Sequence, residues 1–189
     1  MKILYLAWGS LLWNNIGLNL TSKWKKSDVK LPLNFTRISD NGKGRLTLVI
    51  DYKNGILNNI WYAETEINNL NEAINVLKKR EGTNKINIGY INFEKNKSRL
   101  GDLENKDKEL LVKTFSQKYD AIIWVNLQPN WEEIKKTKYN INSALSYLTS
   151  IKENKFLYSK SLEYIMFSKI FGHITTPLTE KIFSSNLFK

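Results

Sequence analysis

Apolar residues run without a polar break from Ile3 to Ala7, and the run ends at Trp8-Gly9-Ser10. A continuous apolar stretch of this length, closed by a turn signal, predicts a strand buried on both faces. Leu31-Pro32-Leu33-Asn34-Phe35-Thr36-Arg37-Ile38 alternates apolar and polar positions, the period-two pattern of a half-buried strand. Asp40-Asn41-Gly42-Lys43-Gly44 supplies turn chemistry, Leu46–Ile50 reads as a second such strand, Asn54-Gly55 as a turn and Ile60–Ala63 as a third. Three antiparallel strands are thus expected to follow the first in a meander.

The period then changes. Leu70, Ala73, Ile74 and Leu77 fall on one face of a helix, with Asn68 or Asn69 as N-cap and Gly82 as the stop. Ile86–Phe93 returns to alternation. Strands, helix, strand in this order predict an antiparallel, closed sheet with a helix against it. Farther on, Lys106–Lys118, Asn142–Lys152 and Ser159–Ile170 read as helices, Tyr119–Val125 as a buried strand, and Thr176-Pro177 as the opening of a last helix. The second half therefore reads as a helical cover.

Composition narrows the class. The chain has 189 residues, 42% hydrophobic, with 8 Phe, 9 Tyr and 6 Trp. That suits one domain with a sizeable core and argues against disorder. Cysteine is absent, which excludes disulfides, thiolate zinc sites and a cysteine nucleophile and fits a reducing compartment. The N-terminal apolar run is too short to span a membrane and lacks a small-residue cleavage site, so a core strand and a cytoplasmic location are expected, with no membrane partner. The net charge of +11 raises the question of nucleic acid. Yet the lysines are scattered, no five like charges adjoin, and Arg37, Arg45, Arg80 and Arg99 are the only arginines. A solvated basic surface with no nucleic-acid partner is the reading.

Two segments carry candidate chemistry. A Gly-Ser bend at the end of a central strand, flanked by Tyr5, Trp8 and Trp13, can aim successive N–H groups at one oxygen, as an oxyanion hole requires; an ordinary strand exit has the same local sequence. About seventy residues on, Glu81 stands in Lys78-Lys79-Arg80-Glu81-Gly82, at a helix end. A carboxylate there faces the negative end of the helix dipole, which favours taking up a proton, as a general base does. The neighbouring cations oppose this, and a solvated helix-end acid is the alternative. His173, the only histidine, reads as a packing or capping residue, and no GxSxG elbow surrounds Ser10. Arg37 and Arg45 could meet a substrate carboxylate or form surface ion pairs. No metal-ligand spacing is present.

Together, Trp8-Gly9-Ser10-Leu11-Leu12 and Arg80-Glu81-Gly82, with Gly89-Tyr90 on the next strand, resemble the two motifs of the gamma-glutamylcyclotransferase family. The resemblance covers residues 2–93, about half of the chain, and the remainder, 103–185, is placed with it by continuity. It implies a single α+β domain with a small antiparallel or mixed β-barrel core and flanking helices. It also implies conversion of a small γ-glutamyl substrate to 5-oxoproline and a free amine, without metal or cofactor. Glu81 would be the acid/base, and Tyr5, Trp8, Gly9, Ser10, Leu11 and Tyr90 would bind substrate. Trp8 stands where the family usually has Tyr. A non-catalytic binder on the same fold and a basic nucleic-acid-binding domain are the alternatives.

Overall fold

Ile3–Ala7 form strand β1, and all five of its side chains are buried. This computed structural model describes residues 1–40 and 43–185. β2 spans Lys25–Ser39, β3 Arg45–Ile50 and β4 Ile56–Thr65. Helix α1 (Leu70–Glu81), β5 (Ile88–Asn92), β6 (Lys97–Arg99), α2 (Asn105–Phe115) and β7 (Ala121–Val125) follow. The chain ends in α3 (Trp131–Lys135), α4 (Ile141–Ser150), α5 (Lys155–Gly172) and α6 (Pro177–Ser184). Single 3-10 turns occupy Ser10–Leu12 and Lys85–Asn87. The expected turn at residues 40–44 includes Asn41 and Gly42, which lie outside the described residues.

The seven strands form one mixed sheet in the order β3-β2-β4-β1-β7-β5-β6. β1 pairs antiparallel with β4 and parallel with β7, and β5 pairs antiparallel with β7 and β6. The class is α+β, as expected, but three expectations are corrected. The sheet is open, with β3 and β6 at its ends, and so is not a barrel. Closure needs the end strands to pair with each other, whereas β6 is three residues long with Lys97 and Arg99 at its ends, a form that discourages edge pairing. The meander is also absent, because β4 returns beside β2 instead of beside β3. And the second half is more than a cover, since it supplies β7, the strand between β1 and β5.

The chain divides into two compact units, Met1–Leu31 with Asn59–Leu127, and Pro32–Asn58 with Gln128–Lys189. In the first unit Ala73, Ile74 and Leu77 of α1 pack with Ile3, Tyr5, Ile88 and Ile123. Phe115 of α2 meets the Tyr62 ring edge-on at 5.2 Å. Tyr62 pairs with Leu6, and successive strand residues point to opposite faces, so α1 and α2 cover opposite faces of β1. The Trp124 indole lies over Gly89, where a Cβ would stand 2.3 Å from the ring. That close approach is the reason for glycine at this position.

In the second unit α5 packs on β3. Its Tyr164 meets Phe35 edge-on at 6.2 Å and carries the Arg45 guanidinium 4.2 Å above its ring. The Asn130 side chain accepts from the Ile38 N–H at 2.8 Å and donates to the Ile38 carbonyl at 3.0 Å, as a neighbouring strand would. His173 takes a left-handed conformation (φ 55°) and closes α5 through its N–H to the Ser168 carbonyl, the capping role expected of it. Among the described residues no helix is long and apolar enough to cross a membrane.

Candidate active site

The N-cap of α1 is Asn69, whose side chain accepts from the N–H groups of Asn71 and Glu72 at 3.0 and 3.1 Å. The helix stops at Gly82 (φ 59°), where the Gly82 and Thr83 N–H groups return to the Lys79 and Lys78 carbonyls, both at 3.2 Å. A positive φ is free for glycine and costly for other residues, so Gly82 fixes Arg80 and Glu81 in the last turn. These two residues follow Leu77 by three and four positions, which puts both on the side of the helix that faces the core. Their side chains are accordingly only 14% and 16% exposed.

Chain direction brings this helix end to the end of β1. The Tyr5 hydroxyl donates to the Ala73 carbonyl at 3.1 Å, and Arg80 reaches the turn that begins at Gly9. From Ala73 to Arg80 the helix rises about 10 Å while β1 runs from Tyr5 to its exit. α1 thus travels alongside β1 in the same sense, and both finish together.

At that junction Ser10–Leu12 make a single 3-10 turn, with Gly9 before it at φ −127° and ψ −138°. Leu12 N–H donates to the Gly9 carbonyl at 3.0 Å, and Asn14 N–H to the Ser10 carbonyl at 2.8 Å. The opening N–H groups of any helical turn have no acceptor within it; here they belong to Ser10 and Leu11. The Arg80 guanidinium spans the junction. Nη1 donates to Ser10 Oγ at 3.4 Å and to Glu81 Oε1, while Nη2 donates to the Ser10 carbonyl at 3.5 Å and to the Asn14 carbonyl. A hydroxyl, a carboxylate and a backbone turn are thereby gathered around one cation.

The residues singled out from sequence take different places. Gly9, Ser10 and Glu81 belong to this junction. Trp8 and Leu11 are buried, at 7% and 5% exposure, and Leu11 packs into the core with Leu77, so their contribution to the junction is backbone. Tyr5 is fully buried, and burial pushes its hydroxyl well above the ordinary phenol range. It is a core residue fastened to α1, with no surface for a substrate. Tyr90 lies in the same cross-strand row, since Tyr5 pairs with Ile123 and Ile123 with Tyr90. It is half-buried, with the Arg99 guanidinium 5.3 Å from its ring centre. Arg37 and Arg45 are in the second unit. Arg37 donates to the Gln128 carbonyl at 2.9 Å and pairs with Asp40 at 3.7 Å, and Arg45 stacks on Tyr164.

Sequence reasoning missed Arg80 and Asn14. The signal for Arg80 was its place three residues after Leu77 and its being the one arginine beside two lysines. Asn14 acts through its carbonyl, which no side-chain pattern reveals. A groove of about 200 Å³ between β5, β6 and α2, lined by Asn92, Asn96, Lys97, Ser98, Lys108 and Ser116 among others, contains none of the junction residues. Among the described residues no three His, Cys, Asp or Glu side chains gather as a metal site would require. No protein-family model matches the sequence, and neither a curated protein nor a solved structure matches the chain.

Proposed function

We propose that this chain is a gamma-glutamylcyclotransferase-like enzyme that releases 5-oxoproline from a γ-glutamyl amide or peptide. One observation carries the reading: the Gly9-Ser10 turn and Glu81, seventy residues apart, share a single guanidinium and so form one site. These are the two segments that carry the resemblance.

The chemistry is an intramolecular acyl transfer. The free Glu81 oxygen takes a proton from the substrate's α-ammonium, and the α-amine attacks the γ-carbonyl carbon. A C–N bond forms, and the carbonyl electrons move onto oxygen, where the Ser10 and Leu11 N–H groups offer hydrogen bonds. Glu81 then returns its proton to the leaving nitrogen as the original amide bond breaks. It takes the second proton from the ring nitrogen, and this proton passes to the released amine as it becomes an ammonium. Because nucleophile and electrophile belong to one molecule, holding the folded conformer supplies much of the rate. The chain's own residues suffice for each proton transfer.

The Arg80–Glu81 ion pair also favours a second reading, a pocket that binds a γ-glutamyl compound without turning it over, because one carboxylate oxygen is already engaged. Incubation with glutathione, γ-glutamyl-alanine and related amides, followed by a 5-oxoproline assay, separates the two. Product from the wild type and at least a 100-fold loss in Glu81→Gln are expected, the scale of a missing general acid/base. Undiminished product from Glu81→Gln would remove Glu81 from the mechanism. Binding without product from the wild type would leave the pocket and discard the enzyme.

A further inference from the structure

We infer that Arg80 is the positioning residue of this site: it locks the end of α1 to the turn after β1, and so sets the distance between Glu81 and the turn's N–H groups. The inference rests on the cyclotransferase reading for its catalytic consequence, but the lock itself does not.

Sequence neighbours on a helix do not ordinarily face each other. An ion pair between Arg80 and Glu81 therefore needs both side chains bent to one place, and the turn at Ser10–Asn14 provides that place. Of the four acceptors the guanidinium reaches, three belong to the turn and one to Glu81. Two of the three are backbone carbonyls, so the contact fixes the course of the main chain as well as a side chain. The Ser10 carbonyl also accepts from Trp13 N–H at 3.3 Å and Asn14 N–H at 2.8 Å, so Arg80 shares the acceptor that holds the turn together.

The residue type is informative. Lys78 and Lys79 lie in the same helical turn, and either would supply positive charge at the helix end. Only a planar fork with five N–H donors can serve a hydroxyl, two carbonyls and a carboxylate at once. Arg80 spends its donors on the protein, and so acts through Glu81 and the turn without being required to touch the substrate.

Two measurements on the full chain test this. In amide hydrogen exchange, Arg80→Gln should speed exchange of the Trp13 and Asn14 N–H groups at least about tenfold, with Leu77 in the helix interior unchanged. Equal loss of protection everywhere, or none at Trp13 and Asn14, overturns the lock. In kinetics, a displacement of about 1 Å at a reacting group costs on the order of 100-fold. Arg80→Gln should therefore lower kcat by about that factor with KM within about threefold, and Arg80→Lys, which keeps the charge but not the fork, should recover only part of it. A raised KM with unchanged kcat would make Arg80 a substrate ligand instead. Full activity in Arg80→Lys would reduce its role to charge. Absence of 5-oxoproline from the wild type would defeat the cyclotransferase reading alone, and the exchange data would still decide the lock.

Discussion

The two units differ in how they treat their main buried polar cluster, although each also leaves an indole N–H without a hydrogen-bond partner, Trp24 Nε1 in the first and Trp131 Nε1 in the second. At the candidate site in the first unit, the hydroxyl, carboxylate and carbonyls are joined through a guanidinium that is itself mostly covered. In the second unit aromatic rings pack around the Trp131 indole and the Arg45 guanidinium. Trp131 meets Tyr139 and Tyr147 edge-on at 5.3 and 5.9 Å, and its Nε1, like Thr36 Oγ1 and Arg45 Nε, is buried without a hydrogen-bond partner. The well-partnered side chains of the second unit serve the backbone instead. Asp51 accepts from the Lys53 and Asn54 N–H groups, and Asn58 exchanges hydrogen bonds with Thr175. Charge held by several partners suits chemistry, because it fixes a group that must act. Backbone ties and ring packing suit a frame.

Stability measurements can break this contrast. Tyr5→Phe, in the first unit, removes a buried hydroxyl that is hydrogen-bonded, and should cost about 1–2 kcal/mol in urea unfolding. It should also change the alkaline limb of stability. Burial raises the Tyr5 hydroxyl above its ordinary value of 10 in the folded chain, so the folded state keeps a proton that the unfolded state sheds. That preference is neutral below pH 10, and stability falls as pH rises above it. Tyr119, pushed up to about 12 by burial and by its hydrogen bond to Glu64, adds to the same decline. Tyr5→Phe and Tyr119→Phe should each make stability flatter between pH 10 and 12, and an unchanged slope would show that these hydroxyls titrate normally.

A smaller effect of opposite sign is expected in the second unit. Thr36→Val removes a buried hydroxyl that has no partner and keeps the shape, so stability should hold or rise by up to about 1 kcal/mol. A clear loss would mean that the hydroxyl is satisfied and the contrast false. The smallest effect should come from an exposed ion pair. Lys53–Glu132, at 62% and 44% side-chain exposure, should contribute under about 0.5 kcal/mol, read from Lys53→Met.

Much of the local structure was legible. The α1 pattern, its cap at Asn69 and its stop at Gly82 are all present in the fold, and the Thr176-Pro177 signal opens α6 with a full capping box. Other readings failed for identifiable reasons. β2 begins at Lys25 instead of Leu31 because Ser27 and Val29 continue the buried alternation beneath charged neighbours, and the charges masked the period. α3 and β6 are too short for a period to show. At the site, Glu81 and the Gly9-Ser10 turn were visible as types in a pattern, while Tyr5 gave no sign that its hydroxyl would be used up on α1.

The sequence by itself determined the type of the longer strands and helices, the cap and stop of α1, the opening of α6, and which residues have the chemistry to act. Those are properties of neighbours along the chain, set by backbone sterics, side-chain period and capping. Only the tertiary structure decided that β7 enters beside β1, that the sheet stays open, and that Arg80 bridges the turn to Glu81. A strand's period says which face is buried but not which strand lies next to it, and a guanidinium's partners are chosen by whatever the fold brings within its reach.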